Sequence, residues 1–349
     1  MSTWNIQLIS DWDSIWEAQH LQRWQSHIDT AEQSHVFFHP ALIRAWVETY
    51  LPLRSLHPLF LWASSTDGNT AMLPLVLWRR NWKNAWMKMI IPMGYSDFDY
   101  HDPIFLHKPD SDAAAAFWST VEKALKEIDH DQIELDGLHA AYAPSHWLKK
   151  GEEPCPFIDL HEMKTLDDYL ASLSSKLRGE LRRLMKKLDT SGSFHLQKFE
   201  YQDIESAQDS LKTMLVHHRK RWPGAYKAPH FHEKIVTYGL QAGIVHFTQT
   251  TFDHQPMSWI LSFIYRGNYY YWMPAMNQEL SKLSPGKVNL VLCIDAALHK
   301  GLTKYDHLRG GELYKSRFTN SCDYVSTSLT TNTTLRCKLK QAILALRHK

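Results

Sequence analysis

Apolar runs separated by turn residues predict a series of elements in the first half of the chain. The turn signal Asp67-Gly68-Asn69 separates two apolar runs, as in a β-hairpin. Pro74 lies inside the second run and predicts an edge strand or a bulge, because proline cannot donate to a ladder. The predicted elements are strands at 59–62, 71–77 and 86–91, a helix over 112–128 and a strand at 133–135.

The second half repeats that order. Turn signals at 253–255 and 266–268 separate three apolar runs, and Ser284-Pro285-Gly286 opens a helix that ends at Gly301. Pro274 follows the third run and predicts that this strand bends away, leaving N–H groups that can polarise a carbonyl. The predicted elements are strands at 245–251, 257–265 and 269–273, the helix from 284 and a strand at 303–309.

Both series run β-β-β-α-β, and each follows an amphipathic helix, at 40–50 and at 232–241. The halves share almost no residue identity, so only the pattern repeats. The sequence therefore predicts an α/β protein of two similar units packed together. We divide it into an N-terminal domain at 1–155 and a C-terminal domain at 156–349, with a helical insert at about 165–222.

The insert contains a basic amphipathic helix over 174–188. Leucines at 173, 177, 181, 184 and 188 form one apolar stripe. The other faces carry the cations Lys176, Arg178, Arg182, Arg183, Lys186 and Lys187. Such a strip suits tRNA or other RNA phosphates, a nucleotide-linked acceptor or anionic lipid, although a solvated helix face is its commoner role. A second helix is predicted at 203–222 and ends in the basic run 219–221.

Composition excludes several classes of protein. The chain has 39 Lys and Arg against 37 Asp and Glu, so its net charge of +2 excludes a globally basic nucleic-acid binder. No apolar run approaches the ~20 residues of a transmembrane helix, and residues 1–16 lack the basic start of a signal peptide. The four cysteines form no C-x-x-C pair, and neither His217-His218 nor His230-Phe231-His232 has a ligand partner at metal spacing. We expect a cytoplasmic protein with reduced thiols and no metal.

The first candidate site is Ser284-Pro285-Gly286-Lys287, preceded by Lys282. Serine is a good N-cap, proline suits the first helical position, and glycine lets a ligand approach the backbone. The N–H groups and positive end of the helix dipole suit a phosphate, although an ordinary well-capped helix explains the same pattern. The corresponding start in the first half, Pro109–Asp112, carries two carboxylates that would repel a phosphate. We therefore expect any anionic ligand in the second half.

The second candidate is the segment 305–315, where a strand runs into a Gly-Gly turn crowded with charge. Ligands often lie at this end of a strand in an α/β unit. An acyl transfer needs a base for the attacking amine or hydroxyl and an acid for the leaving group. The candidate roles are base for Asp306 or Glu312, acid for Tyr314, and binding of an anionic acceptor for Arg309 and Lys315. A charge network that pins the last strand explains these residues equally well.

Three further segments are weaker candidates. The aromatic run 269–276 would line a groove for an acyl chain or a sugar, or would pack in the core. The segment 96–102, with Asp97 and Asp99, would hydrogen-bond sugar hydroxyls or position an amine, or would be a solvated loop. The basic amphipathic segment 335–349 would dock on the body of the protein or touch an anionic membrane, and we favour docking.

Together these segments resemble the CelD/BcsL family of GNAT-type acyltransferases, a branch of the tandem-GNAT group that includes the Fem-type peptidoglycan aminoacyl transferases. The resemblance covers roughly residues 35–325. The matching segments are MGYSDFDY at 93–100, LSSKLRGELRR at 173–183, LSPG at 283–286 and YDHLRGGELYK at 305–315. The last is the most specific: an Asp, two positions, Arg-Gly, then Glu and Tyr-Lys.

The resemblance implies two tandem GNAT folds with mixed, mostly antiparallel sheets. It implies transfer of an acyl (acetyl) group from an acyl-CoA thioester to an amine or hydroxyl of a small-molecule or sugar-linked acceptor, often in bacterial polysaccharide or envelope pathways. In GNAT enzymes the donor lies where the fourth and fifth strands separate, with its pyrophosphate at the following helix. The implied donor site comprises Tyr271, Ser284, Gly286, Lys287 and the end of the strand at Asp306; the implied acceptor site comprises Asp97, Asp99, Arg309 and Lys315.

One departure from the GNAT pattern leaves alternatives open. The usual acetyl-CoA signature, Arg/Gln-x-x-Gly-x-Gly/Ala, is absent, and only Gly286 remains of it. An aminoacyl-tRNA therefore stays open as the donor, with the basic helix at 174–188 binding the tRNA. A non-catalytic carbohydrate- or partner-binding protein is the third alternative.

Overall fold

The computed structural model describes residues 3–79, 87–191, 194–226 and 228–347. Contacts within the chain define two units, residues 1–153 with 324–349 and residues 154–323. The last segment of the chain thus groups with the first unit, whereas the sequence division assigns it to the C-terminal domain. The reason is that its strand pairs with a strand of the first unit.

Both halves contain helices and strands. Up to residue 159 they are β1 (Trp4–Ile9), α1 (Trp12–Trp16), α2 (Ala18–Thr30), α3 (Pro40–Tyr50), β2 (Leu56–Ser65), β3 (Thr70–Arg79), β4 (Lys88–Pro92), β5 (Ile104–Phe105), α4 (Ser111–Lys126), β6 (Gln132–His139) and β7 (Leu148–Asp159). After it they are α5 (Leu166–Ser172), α6 (Ser175–Ser191), β8 (Phe194–Phe199), α7 (Ile204–Arg221), α8 (Phe231–Gln241), β9 (Val245–Phe252), β10 (Gln255–Tyr265), β11 (Asn268–Met276), α9 (Pro285–His299), β12 (Lys304–Asp306), β13 (Ser321–Thr331) and α10 (Leu335–Arg347).

The predicted duplication is confirmed. In the first unit β1, β2, β3 and β4 are successively antiparallel, β4 and β6 are parallel, and β13 is antiparallel to β6. In the second, β8, β9, β10 and β11 are successively antiparallel, β11 and β12 are parallel, and β7 is antiparallel to β12. Each unit is a mixed, mostly antiparallel sheet with helices, and α3 and α8 are the predicted helices that precede each series.

The predicted edge or bulge at Pro74 is wrong. β3 pairs with β2 on one side, where Pro74 faces Phe60 without a register shift. On its other side β3 pairs with β5 at residues 71–72 and with β4 from Leu75 onward. Pro74 lies between those two partners, and its carbonyl accepts from Met93 N–H at 2.9 Å. The missing N–H therefore falls where one partner strand replaces another, so no ladder hydrogen bond is lost.

In the first unit the space between β4 and β6 is filled by the chain itself. The two strands pair at only two positions, after which the loop 95–102 follows and its residues 99–102 lie along β6. His101 N–H donates to Gly137 O at 3.1 Å. Gly137 has φ of +66°, and a Cβ there would lie 2.3 Å from Asp99 O, so only glycine permits this approach.

The predicted leucine stripe of α6 is confirmed. Leu177, Leu181 and Leu188 are buried, while Lys176, Arg182 and the other cations of the helix are exposed or half-buried. The stripe packs α6 onto its own unit, and the cationic faces stay in solvent. Within the described part of the chain, no helix has the length and apolar character to cross a bilayer.

Candidate active site

A gap opens between β11 and β12 in the second unit. The two strands pair over three residues, Asn268–Tyr270 with Lys304–Asp306. β11 then continues alongside β10, with Tyr271 and Trp272 lying opposite the single residue Ser262 as a β-bulge. Among the described residues, no strand pairs with the other edge of β11 beyond Tyr270. Backbone groups on that edge can therefore bind an extended ligand.

The bend expected at Pro274 is wrong. Pro274 pairs with Ile260 of β10, and β11 ends only at Met276. On the side away from β10, the pairing of β11 with β12 ends at Tyr270, before Pro274 is reached. A strand with one unpaired edge tolerates proline, because the missing N–H has no neighbouring strand to bind.

Aromatic rings line the start of the gap. Tyr271 of β11 lies 5.9 Å from Tyr305 of β12 and 5.4 Å from His307, between ring centroids. Tyr305 also stacks on Tyr269 at 4.6 Å. Tyr271 is buried and belongs to the core of the second unit. Core packing thus accounts for its burial, and its predicted role in donor binding stays a proposal.

His307 is a feature of this gap that the sequence analysis did not single out. Its ring is buried, and within the described structure neither ring nitrogen has a hydrogen-bond partner. Burial, with a smaller effect of the Lys315 ammonium, lowers the pKa of His307 to about 3, so the imidazole is neutral. Burying such a group without a partner is costly, so a ligand or an ordered water is expected to supply one. The only sequence signal was the place of His307 inside the 305–315 segment.

Asp306 is buried and engaged inside its own turn. Its Oδ1 accepts from Leu308 N–H at 2.8 Å, and Lys304 Nζ lies 3.4 Å from its Oδ2. Leu308 has φ of +60°, an unusual conformation for leucine that the Asp306 hydrogen bond stabilises. This geometry suits a carboxylate that shapes the turn after β12 more than a base that a substrate reaches.

The loop after this turn is held together by Lys315. Its Nζ donates to Arg309 O at 2.7 Å and lies 2.9 Å from Glu312 Oε2, with its side chain 5% exposed. Gly310 has φ of +119°, and a Cβ there would lie 2.4 Å from Glu312 Oε2. Glycine is therefore required for the loop to close over the Glu312–Lys315 pair.

Tyr314 is half-buried beside this pair. Burial raises the pKa of Tyr314 to about 12, and the Glu312 carboxylate adds to the rise. The hydroxyl is therefore protonated at neutral pH, as a proton donor must be. The Arg221 guanidinium, exposed at the end of α7, opposes the rise and so lies within electrostatic reach of Tyr314. Arg221 was not singled out as a site residue, although the basic run 219–221 was noted.

The start of α9 differs from its predicted form. Ser284 stands at the N-cap position in the left-handed conformation, with φ of +51°, and its side chain caps nothing. Its carbonyl instead accepts from the N–H groups of Lys287 and Val288. The Lys287 ammonium pairs with Glu180 of α6. A Cβ at Gly286 would meet Met276 only at 3.5 Å, an ordinary contact, so a side chain fits there.

The corresponding helix of the first unit is capped by its own carboxylate. Asp110 accepts from Ala113 N–H at 2.8 Å at the start of α4. That carboxylate occupies the place where an anionic ligand would bind. The start of α9 lacks such a side-chain cap and is the more suitable of the two for a phosphate.

The two acidic residues predicted to bind the acceptor lie in the first unit. Asp97 Oδ2 accepts from Trp46 Nε1 at 3.1 Å and from the Tyr50 hydroxyl at 2.8 Å, which ties the 95–102 loop to α3. Asp99 lies beside Gly137 of β6 through its carbonyl. The other predicted site residues all lie in the second unit. In the described part of the chain, no group of three His, Cys, Asp or Glu side chains is placed to hold a metal ion.

Residues 175–316 match the family model described as an acetyltransferase (GNAT) domain. No curated protein sequence matches the chain at a significant level. Residues 175–316, within the second half of the chain, are thus similar to GNAT acetyltransferase domains, as the resemblance implied. The narrower CelD/BcsL assignment remains a prediction.

Solved structures with the same fold cover nearly the whole chain. FemX is 10% identical, with 93% of this chain and 98% of that chain covered and a TM-score of 0.63. The C-terminal domain of a putative lysylphosphatidylglycerol synthetase from Agrobacterium fabrum is 11% identical, with 94% and 96% covered and a TM-score of 0.55. A tandem GNAT protein from the clavulanic acid biosynthesis pathway is 9% identical, with 94% and 98% covered and a TM-score of 0.50. The fold is thus that of tandem GNAT and FemX-like proteins.

Proposed function

We propose that the protein transfers an acyl group from an acyl-CoA thioester to an amine or hydroxyl acceptor, with the chemistry in its second unit. The observation that supports this most is the gap between β11 and β12, where the Tyr271 ring contacts His307 and the His307 ring lies beside Tyr314. The GNAT match over 175–316 agrees with that placement. The acceptor we favour is a sugar-linked or small polar molecule of a cytoplasmic polysaccharide or envelope pathway.

The residues around the gap fit such a donor. The edge of β11 beyond Tyr270, which pairs with no other described strand, offers backbone partners to the amide groups of an extended chain. The start of α9 at Ser284–Lys287, which has no side-chain cap, suits the pyrophosphate. Tyr271 would contact the donor chain, and Arg221 would add positive charge at the entrance. Coenzyme A supplies an acyl group activated as a thioester.

The chemical step needs one proton removed and one proton delivered. The acceptor nitrogen or oxygen attacks the thioester carbon, so a C–N or C–O bond forms and the C–S bond breaks. Glu312, the more exposed of the two candidate carboxylates, would take the acceptor proton, and Tyr314 would protonate the leaving thiolate. Asp306 would position the turn, and Arg309 and Lys315 are the proposed acceptor-binding residues of this unit.

His307 fits the same step as a hydrogen-bond donor. A neutral imidazole can donate its N–H to the acyl carbonyl oxygen, where negative charge develops during attack. In this role the thioester supplies the partner that the buried ring lacks within the described structure. With a pKa of about 3, His307 is neutral and only a weak base at neutral pH, which suits donation of a hydrogen bond better than removal of a proton.

Binding of the donor should stabilise the folded protein. We expect 1 mM acetyl-CoA to raise Tm by a few degrees, because a ligand at ~100 times its Kd contributes about 2.7 kcal/mol. Gly286→Glu should abolish the shift by placing a carboxylate at the start of α9. The measurement is thermal unfolding with and without acetyl-CoA, coenzyme A and a long-chain acyl-CoA.

Gly179→Glu is the matched control for this experiment. A Cβ at Gly179 in α6 meets nothing within 4 Å, so the change adds the same charge on an open helix surface. The shift should survive it. A shift retained in Gly286→Glu would contradict the placement of the donor phosphates, and no shift with any of the three compounds would contradict an acyl-CoA donor.

An aminoacyl-tRNA donor is the second candidate, favoured by the exposed cations of α6 and by the fold shared with FemX. We expect Lys176→Glu with Lys186→Glu to abolish retention of total tRNA at low salt, since phosphate contacts dominate such binding. The measurement is a filter-retention titration at two salt concentrations. A wild-type protein that retains no tRNA at low salt would contradict this candidate.

A further inference from the structure

The C-terminal helix α10 presents an apolar stripe to solvent. Leu335, Leu339 and Ile343 are 83%, 57% and 39% exposed. Positions four residues apart differ by about 40° around an α-helix, so these three lie within about 80° of one another. Three large apolar side chains on one exposed strip are more than the scattered exposure of an ordinary surface.

The first turn of α10 is fixed to the first unit through Arg336 and, on the side opposite the stripe, through Cys337. Arg336 Nε donates to both carboxylate oxygens of Asp131, at 2.9 and 2.8 Å. Cys337 is buried, and its N–H donates to Thr334 Oγ1, which in turn donates to Asp131. The docking favoured from the sequence is thus confirmed for this side of the first turn only. It leaves the exposed stripe of Leu335, Leu339 and Ile343 uncovered.

The charges of α10 decide what can cover the stripe. Lys338 is exposed and Lys340 half-buried beside it, and residues 335–349 contain no Asp or Glu. Pairing with a second copy of α10 would bring like charges together. A bilayer with anionic headgroups instead accepts apolar side chains among its acyl chains and lysines at its phosphates.

We propose that α10 binds the surface of a bilayer containing anionic lipid, with Leu335, Leu339 and Ile343 inserted and Lys338 at the headgroups. The anchored first turn holds the helix with this face outward. The inference depends only on the exposure and charge of α10, so it stands or falls separately from the proposed acyl transfer.

Sedimentation with vesicles tests the proposal. The full chain is mixed with vesicles of phosphatidylcholine alone or of equal parts phosphatidylcholine and phosphatidylglycerol. We expect sedimentation with the anionic vesicles only, weakened by salt, and reduced at least about tenfold by Leu335→Ser with Leu339→Ser. The matched control is Leu148→Ser with Leu196→Ser, which removes two exposed leucines elsewhere and should leave binding unchanged. Equal Tm values establish that the variants are folded.

Three results would overturn the proposal. The first is a wild-type protein that stays in the supernatant with both kinds of vesicle. The second is binding that survives the Leu335→Ser, Leu339→Ser change but is lost on Lys176→Glu with Lys186→Glu, which would place the lipid contact on α6. The third is a concentration-dependent dimer, detected by sedimentation velocity, that the leucine substitutions abolish.

Discussion

Replacement of Tyr314 by phenylalanine is expected to lower kcat about 10²–10⁴-fold with little change in KM for the donor. Phenylalanine retains the ring that packs beside His307 but removes the hydroxyl that would protonate the leaving thiolate. Because the pKa of Tyr314 is raised to about 12, that hydroxyl is fully protonated at neutral pH in the wild type. The measurement is release of coenzyme A thiol from acetyl-CoA with glucosamine, and then lysine, as the acceptor.

Two further variants distinguish a loss of the chemical step from a loss of folding. Glu312→Gln should cause a loss of similar size, because it removes the proposed base while preserving a side chain of the same length. Tyr201→Phe, at a half-exposed tyrosine of the same unit, should leave turnover unchanged. Full activity in both Tyr314→Phe and Glu312→Gln would refute the assignment of this loop to catalysis.

Acid should unfold the protein at an unusually high pH. Six buried histidines have pKa values lowered by burial to about 4 (His35, His39, His218, His246) or about 3 (His232, His307). Each stays neutral in the folded state but takes up a proton near pH 6.5 when unfolded, so stability falls as pH drops below 6.5. At pH 5 each costs about 2 kcal/mol. Together they approach the whole stability of an ordinary protein, about 5–15 kcal/mol. The urea midpoint should therefore fall steeply between pH 6.5 and 5.

Single substitutions test whether the buried histidines cause this loss of stability at low pH. His232 is buried against Trp272 and Tyr226, so His232→Phe keeps the ring contacts and removes one titrating group. We expect it to reduce the loss of stability between pH 7 and pH 5 by about 2 kcal/mol. His254→Phe, at an exposed hairpin turn, should leave the loss unchanged. A urea midpoint that is flat from pH 7 to pH 5 would contradict the buried-histidine explanation.

Local patterns determine the elements of this fold well. The turn residues 67–69, 253–255 and 266–268 and the period of the α6 leucines all predict what the structure contains. These signals depend on a few neighbouring residues and on side-chain periodicity, which a sequence displays directly. The repeated order of the elements follows from them, and so does the two-unit fold.

Features that depend on distant contacts do not follow from the sequence. Ser284 has the composition of an N-cap but adopts a left-handed conformation. Lys287 resembles a phosphate ligand yet pairs with Glu180, 107 residues away. His307 is a candidate site residue because it is buried among Tyr271, Tyr305 and Tyr314. Three separate segments bring these tyrosines together. The candidate loop was identified by its charge, but which of its carboxylates is accessible depends on the fold.

The loop 95–102 makes the two halves of the duplicated fold differ. By lying along β6, it fills in the first unit the kind of space that the second unit leaves beside β11. The loop acts as a covalently attached substitute for a ligand, present at all times and at no cost in association entropy. On the proposed function, a donor that needs the open space has one binding place per chain, in the second unit, because the first unit fills the corresponding space with its own loop.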